Sequence, residues 1–86
     1  MATVRVREPL RKLAGGQSDH TVEGATAVDV LGEFERMHPA LSGWILDERG
    51  HVRRHINVFV NGERGTEGSA VGPTDRIDIL PAISGG

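Results

Sequence analysis

Only one stretch of this chain repeats its apolar side chains at helical spacing: Ala27, Val30, Leu31, Phe34 and Met37. Thr26 stands before it as an N-cap, and Asp29 favours the positive helix terminus, so the spacing predicts a helix from about Ala27 to Met37. His38-Pro39 ends it, because the residue before proline disfavours the helical region and proline has no amide to donate. Such a lone amphipathic helix has to bury its apolar stripe against a sheet, and the remaining sequence reads as the strands of that sheet.

Thr3 to Arg7 alternates, with Val4 and Val6 on one side and Thr3, Arg5 and Arg7 on the other, up to Pro9. Arg11 to Ser18, with Gly15-Gly16, reads as a mobile turn into a second strand near His20 to Glu23, which makes an N-terminal hairpin. Ala40 to Leu46 adds an irregular turn, and Asp47 to Gly50 a charged loop. His55 to Val60 alternates again, with Ile56, Val58 and Val60 on one face and His55, Asn57 and Phe59 on the other. Asn61-Gly62 follows, the strongest short-range signal for a tight hairpin, because both residues tolerate positive φ. A short strand around Glu63 to Glu67 comes next. A glycine-rich stretch then leads to a last strand, Arg76 to Leu80, with Ile77 and Ile79 turned inward and Pro81 closing it. The resulting fold class is α+β, a mixed sheet of four to five strands packed on one main helix. The predicted core is Val4, Val6, Val22, Leu31, Phe34, Ile56, Val58, Ile77 and Ile79.

At 86 residues there is room for one domain, and a chain of this size buries roughly 60–65% of its unfolded surface. With Lys+Arg 10 against Asp+Glu 12, the net charge of -2 supplies no general field for nucleic acid or anionic lipid. Cysteine is absent, which removes disulfides, thiolate nucleophiles and Cys-metal sites together. No apolar run approaches a membrane span, and MATVRVREPLRKL lacks the apolar stretch of a signal peptide. The expectation is a soluble cytoplasmic protein with neither a nucleic-acid nor a membrane partner.

No catalytic constellation is visible within the chain. His51 and His55 share a face in an extended segment, but Arg53 and Arg54 beside them oppose a metal, and the pair reads as solvated. The run Arg49, His51, Arg53, Arg54 and His55 is locally basic, suited to a solvated loop or to an acidic partner. Glu33, Glu35 and Arg36 read as surface charges on the outer helix face. Ser18, Ser42, Ser69 and Ser84 lack a nucleophile-elbow context, and Gly15-Gly16 lacks the lysine of a phosphate loop.

Beyond Pro81 the sequence is Ala82-Ile83-Ser84-Gly85-Gly86. Extended, those residues span ~17 Å at about 3.3–3.6 Å each, enough to enter another protein's active site while the globule stays outside. Glycine passes a narrow channel and leaves a terminal carboxylate without steric cover. A frayed glycine-rich end is the plainer reading of the tail alone. The layout as a whole, with VFVNGE in the third strand, DRIDILP in the last and Ile-Ser-Gly-Gly at the end, resembles the ubiquitin-like β-grasp sulfur carriers. Among these it looks most like the cysteine-biosynthesis type, and it is similar to the molybdopterin synthase small subunit and the thiamin-pathway carrier.

The resemblance implies a β-grasp domain over residues 1–81 and a flexible tail over 82–86. It implies that an adenylating enzyme of the ubiquitin-activating type joins the Gly86 carboxylate to AMP, and that a sulfur donor displaces AMP to leave a thiocarboxylate. Gly85 gives the tail its access. This chain would bind no cofactor or metal itself, and ATP and magnesium would be used by the activating partner. The acceptor would be a cysteine-synthase-like, thiazole-synthase-like or molybdopterin-synthase-like enzyme. Because the chain already ends at Gly86, no precursor processing would be needed. The resemblance also places partner docking on the sheet face away from the helix, at Phe59, Leu80, Arg5 and Arg7, continuing through Pro81, Ile83 and Ser84. The contrary expectation is that the Arg64 to Gly72 loop covers Phe59.

Two other functions fit the same residues. A ubiquitin-like protein modifier would form isopeptide bonds through Gly86, with Lys12, the only lysine, and the amino terminus as sites for chains on itself. A non-covalent β-grasp interaction module would not need the tail's chemistry at all.

Overall fold

A computed structural model describes residues 1–81 of the chain. In chain order the elements are β1 (Ala2–Val6), α1 (Leu10–Leu13), β2 (Asp19–Val22), α2 (Ala27–Met37), β3 (Ile56–Val60), β4 (Glu63–Arg64) and β5 (Arg76–Pro81), with a single 3-10 turn at Pro39–Leu41. The strands form one sheet in the order β2-β1-β5-β3-β4. Strand β1 runs parallel to β5, while β1 with β2, β3 with β5 and β3 with β4 are antiparallel. Two hairpins therefore flank a parallel central pair, and α2 covers one face.

The reason lies in the alternation. Val4, Val6, Ile56, Val58, Ile77 and Ile79 all point to one face and are buried against Val30, Leu31 and Phe34 of α2. Every residue of the predicted core is buried. The predicted helix bounds are those observed, and the Asp29 amide donates to Thr26 Oγ1 at 3.3 Å as the cap requires. Asn61, at φ 53, and Gly62, at φ 86, form the tight turn between β3 and β4. Asn61 also locks the neighbouring strand: its Nδ2 donates to Asp75 Oδ1, and its Oδ1 accepts from the Arg76 amide, both at 2.9 Å.

Four expectations are corrected. The segment read as a turn from Arg11 contains helix α1, because Leu10 and Ala14 are both buried and one helical turn sets them on the same side. Met37 is 46% exposed although it continues the helical spacing. His38 takes the inward place, its ring centroid 5.2 Å from that of Phe34 and 4.8 Å from that of His20. Pro81 belongs to β5 and pairs with Ile56 rather than standing beyond the strand. It is tolerated there because the pairing of β1 with β5 has ended at Val6 and Ile79, so one edge is already open. Strand β4 stops at Arg64, and the chain that was expected to continue it leaves the sheet for the helix.

His20, 8% exposed, is the one buried polar residue among those described, and its Nε2 donates to the Gln17 carbonyl at 2.8 Å. Desolvation holds His38 below the ordinary histidine pKa, and the charge of nearby His20 acts in the same direction. The unfolded chain therefore takes up a proton at His38 before the folded protein does. Stability from this group is complete above about pH 6.5 and is lost as pH falls through the depressed folded value. The melting temperature should accordingly drop on acidification from neutrality, and His38→Gln should flatten that slope in a pH series of thermal melts.

Candidate functional site

The open face of the sheet is set by the same alternation that builds the core. On β1 it carries Thr3 and Arg5, with Arg7 just past the strand's end, on β5 Arg76, Asp78 and Leu80, and on β3 Asn57 and Phe59. Register places Arg5 beside Asp78, Asp78 beside Phe59, and Leu80 beside Asn57. An open groove of about 190 Å³ results, lined by Arg5, Arg7, Phe59, Gly62, Asp78 and Leu80. Phe59 and Leu80 are half-buried in it, two apolar side chains between guanidinium groups.

The loop that was the rival cover for Phe59 goes elsewhere. The Glu67 carbonyl accepts from the Val28 amide and the Ser69 carbonyl from the Ala27 amide, each at 2.9 Å, so residues 65–70 are tied to the start of α2. The first-turn amides of a helix have no intrahelical acceptor, and these carbonyls supply one. Arg64, paired with Phe59 across β3 and β4, lies beside it on the open face and donates to Asn57 Oδ1 at 3.1 Å, while Phe59 itself lines the groove.

Electrostatically the groove leans positive on its β1 side. Arg5 Nε donates to Asp19 Oδ1 at 2.9 Å, which holds the Asp19 carboxyl below its usual range. Arg7 is exposed and forms no ion pair among the described residues. Arg76 and Asp78 pair at 3.3 Å along β5. The last described residue, Pro81, is half-buried at the end of the strand that carries Leu80. Ile83, Ser84, Gly85 and Gly86 lie outside the described residues.

Two carboxylates escaped the sequence reading. Glu35, read as a surface charge, is half-buried, and its Oε2 accepts from the amides of both Ile45 and Leu46 at 2.9 Å. It fastens the segment after α2, with buried Leu41, Ile45 and Leu46, to the helix. Glu67 does the same for the next loop, accepting from the Val52 amide at 2.6 Å and meeting His51 Nδ1 at 3.2 Å. These bonds, the Val52 amide foremost, keep the Glu67 carboxyl below its usual range. No residue pattern marked either glutamate, since both acceptors serve backbone amides distant in sequence. Glu35→Ala strips two amides of their acceptor and should destabilise the fold by about 2 kcal/mol in urea titrations, while leaving the open sheet face unchanged.

Among the described residues no group of three His, Cys, Asp or Glu side chains is placed to hold a metal. His51 is engaged with Glu67, and His55 stands in the turn before β3 rather than within it. Among the described residues no helix is long and apolar enough to cross a membrane.

A mixed sheet grasping one main helix, with an apolar groove on its free face, defines a ubiquitin-like β-grasp protein. The ThiS family model matches residues 4–86, and the chain belongs to that family. It is 31% identical over 90 residues to the sulfur carrier protein CysO of Mycobacterium tuberculosis, covering 98% of this chain and 97% of the relative. It is 35% identical over 79 residues to small archaeal modifier protein 1 of Haloferax volcanii, covering 90% and 91%. Among solved structures, a chain of the Amycolatopsis orientalis BexX/CysO complex superposes with a TM-score of 0.87 at 31% identity, covering 100% of both chains. The relatives are thus small carriers and modifiers rather than catalysts.

Proposed function

We propose that this protein carries sulfur as a thiocarboxylate on Gly86 and serves as a cosubstrate for partner enzymes. The observation that carries the reading is the family match, which runs through Gly85 and Gly86 and so includes the Gly-Gly end. The likeness to a CysO sulfur carrier and to a chain of the BexX/CysO complex supports work in partnership with another protein.

The chemistry follows from what a carboxylate can do. With a pKa of about 3.3–3.7 the terminal carboxyl is ionised near neutrality and is a poor electrophile. The partner activates it: a carboxylate oxygen attacks the α-phosphorus of ATP, pyrophosphate leaves, and an acyl adenylate forms. Sulfide or a persulfide-type donor then attacks the carbonyl carbon, AMP leaves with the bonding electron pair, and Gly86 ends as a thiocarboxylate once any sulfur–donor bond has been cleaved by a reductant. The thiocarboxylate sulfur is a good nucleophile toward an acceptor enzyme's intermediate. This chain contributes no acid, base or metal to these steps; ATP and magnesium belong to the partner. Its own contribution is docking, through Phe59, Leu80, Arg5 and Arg7, with Pro81, Ile83 and Ser84 leading to Gly85 and Gly86. Cysteine biosynthesis is the first pathway to test, with a cysteine-synthase-like acceptor, ahead of thiazole-synthase-like and molybdopterin-synthase-like ones.

Pyrophosphate release by an adenylating enzyme from the same genome tests the activation step. Release that rises with added chain and stops when the tail is removed supports the reading; release indifferent to the chain contradicts it. The likeness to small archaeal modifier protein 1 favours a second reading, conjugation to lysines through the same carboxylate. Gly-Gly remnants on lysines of other proteins, found by peptide mass spectrometry and lost on deleting the gene, would identify that activity.

A further inference from the structure

The basic run of the sequence has no part in the groove. Its residues lie in the turn that leads into β3, and β3 begins at Ile56, the residue paired with Pro81. Arg54 and His55 are therefore at the end of the sheet where β5 hands the chain on toward Gly86, and both are exposed. Trp44, 45% exposed, joins them: Ser42, Gly43, Trp44, Arg53 and His55 line a shallow depression beside this turn.

The arrangement is built, not loose. Gly43, at φ 85, lets the chain turn so that Trp44 is presented outward between buried Leu41 and Ile45. The Trp44 amide donates to Leu41 O at 2.9 Å, the Arg53 amide to Ile45 O at 2.9 Å, and the Ile56 amide to Arg53 O at 3.0 Å. Glu35 fixes Ile45 and Leu46 from the helix side. The cations, by contrast, are not tied into close ion pairs, although the charge of Arg53 is felt by Asp47 across the loop. Neither Arg53 nor Arg54 forms an ion pair among the described residues, and Arg53 Nε is buried without a hydrogen-bond partner there. Asp47, which lines a depression with Arg53, Arg54 and His55, accepts from the amides of Arg49 and His51 at 2.9 and 3.0 Å rather than from a guanidinium.

We propose that Trp44, Arg53, Arg54 and His55 form a second docking surface, for an acidic segment at the mouth of the enzyme channel that receives the tail. The proposal rests on the carrier reading above, because that reading puts such a mouth next to Pro81. Charge complementarity argues for the partner: unpaired guanidinium groups on a chain of net charge -2 are concentrated at its working end. Trp and Arg are among the residues enriched at the hot spots of protein interfaces, and a patch this small gives too few phosphate contacts for nucleic acid. Opposite charges around the tail root would raise the encounter rate and orient the tail before the apolar groove closes on its own partner surface.

The test compares association kinetics with the adenylating enzyme of the same genome at about 0.05 M and 0.5 M salt, where screening differs severalfold. Arg54→Glu should lower the association rate roughly tenfold at low salt, with the gap closing at high salt. Trp44→Ala should raise the dissociation rate at both salts. Arg54→Ala, a milder change at the same exposed turn, should give a smaller fall in the same direction, and thermal melts of all three check that the fold is kept. Wild-type protein that gains sulfur while Arg54→Glu and Arg54→Ala associate at the wild-type rate would discard this surface and leave the carrier reading standing. Wild-type protein that neither associates nor gains sulfur would discard both.

Discussion

Removing Gly86 should abolish activation, and Gly86→Val should do nearly the same. Deletion still leaves a terminal carboxylate, but draws it back by about 3.5 Å along the extended chain. Adenylation needs the attacking oxygen at the phosphorus in line with the leaving pyrophosphate, and a misplacement of even ~1 Å in such a geometry costs on the order of 100-fold. Valine keeps the length but sets a branched side chain beside the reacting carbon, where glycine presents only hydrogen. Pyrophosphate release with each variant measures the effect; the expectation is a fall of at least about 100-fold with deletion. Normal turnover of the truncated chain would show that Gly86 is not the activated residue.

Leu80→Asp has the second largest expected effect and acts on docking alone. Leu80 faces away from the core, and its neighbours along β5, Ile77 and Ile79, carry the packing against α2. Arg7 stands beside it on the groove wall and offers the new carboxylate a partner in the free protein. Binding, however, would carry that charge into an apolar contact, so the loss should reach about 2 kcal/mol, roughly thirtyfold in Kd, with little change in melting temperature. Calorimetric titration against the activating enzyme reads it directly. Unchanged affinity would remove Leu80 from the interface and weaken the case for Phe59 with it.

Much of the fold is legible in the sequence because local and global signals agree. The Thr26 cap, the spacing from Ala27 to Phe34 and the His38-Pro39 stop all define α2. Asn61-Gly62 fixes a hairpin, and the alternation of β1, β3 and β5 assigns the two sheet faces, which is why Phe59, Leu80, Arg5 and Arg7 can be grouped by parity alone. What escapes depends on contacts between distant segments. Helix α1 is only four residues long, too short to hold by the helix propensity of its residues, and the burial of Leu10 secures it. Met37 obeys the helical period yet faces out, since packing with Phe34 and His20 falls to His38. Glu35 and Glu67 look like ordinary surface acids until the loops they bind are in place. Trp44 can be found in the sequence, but not its company with Arg53 and His55.

Residence of sulfur on the Gly86 carbonyl is the central claim. Intact-protein mass spectrometry after incubation with ATP, magnesium, the adenylating enzyme of the same genome and a sulfide source tests it most directly. The expected result is a mass gain equal to the exchange of one oxygen for sulfur, confined to Gly86 on fragmentation and absent without ATP. An unchanged mass, with an enzyme that loads another carrier in parallel and adenylates this one, would contradict it.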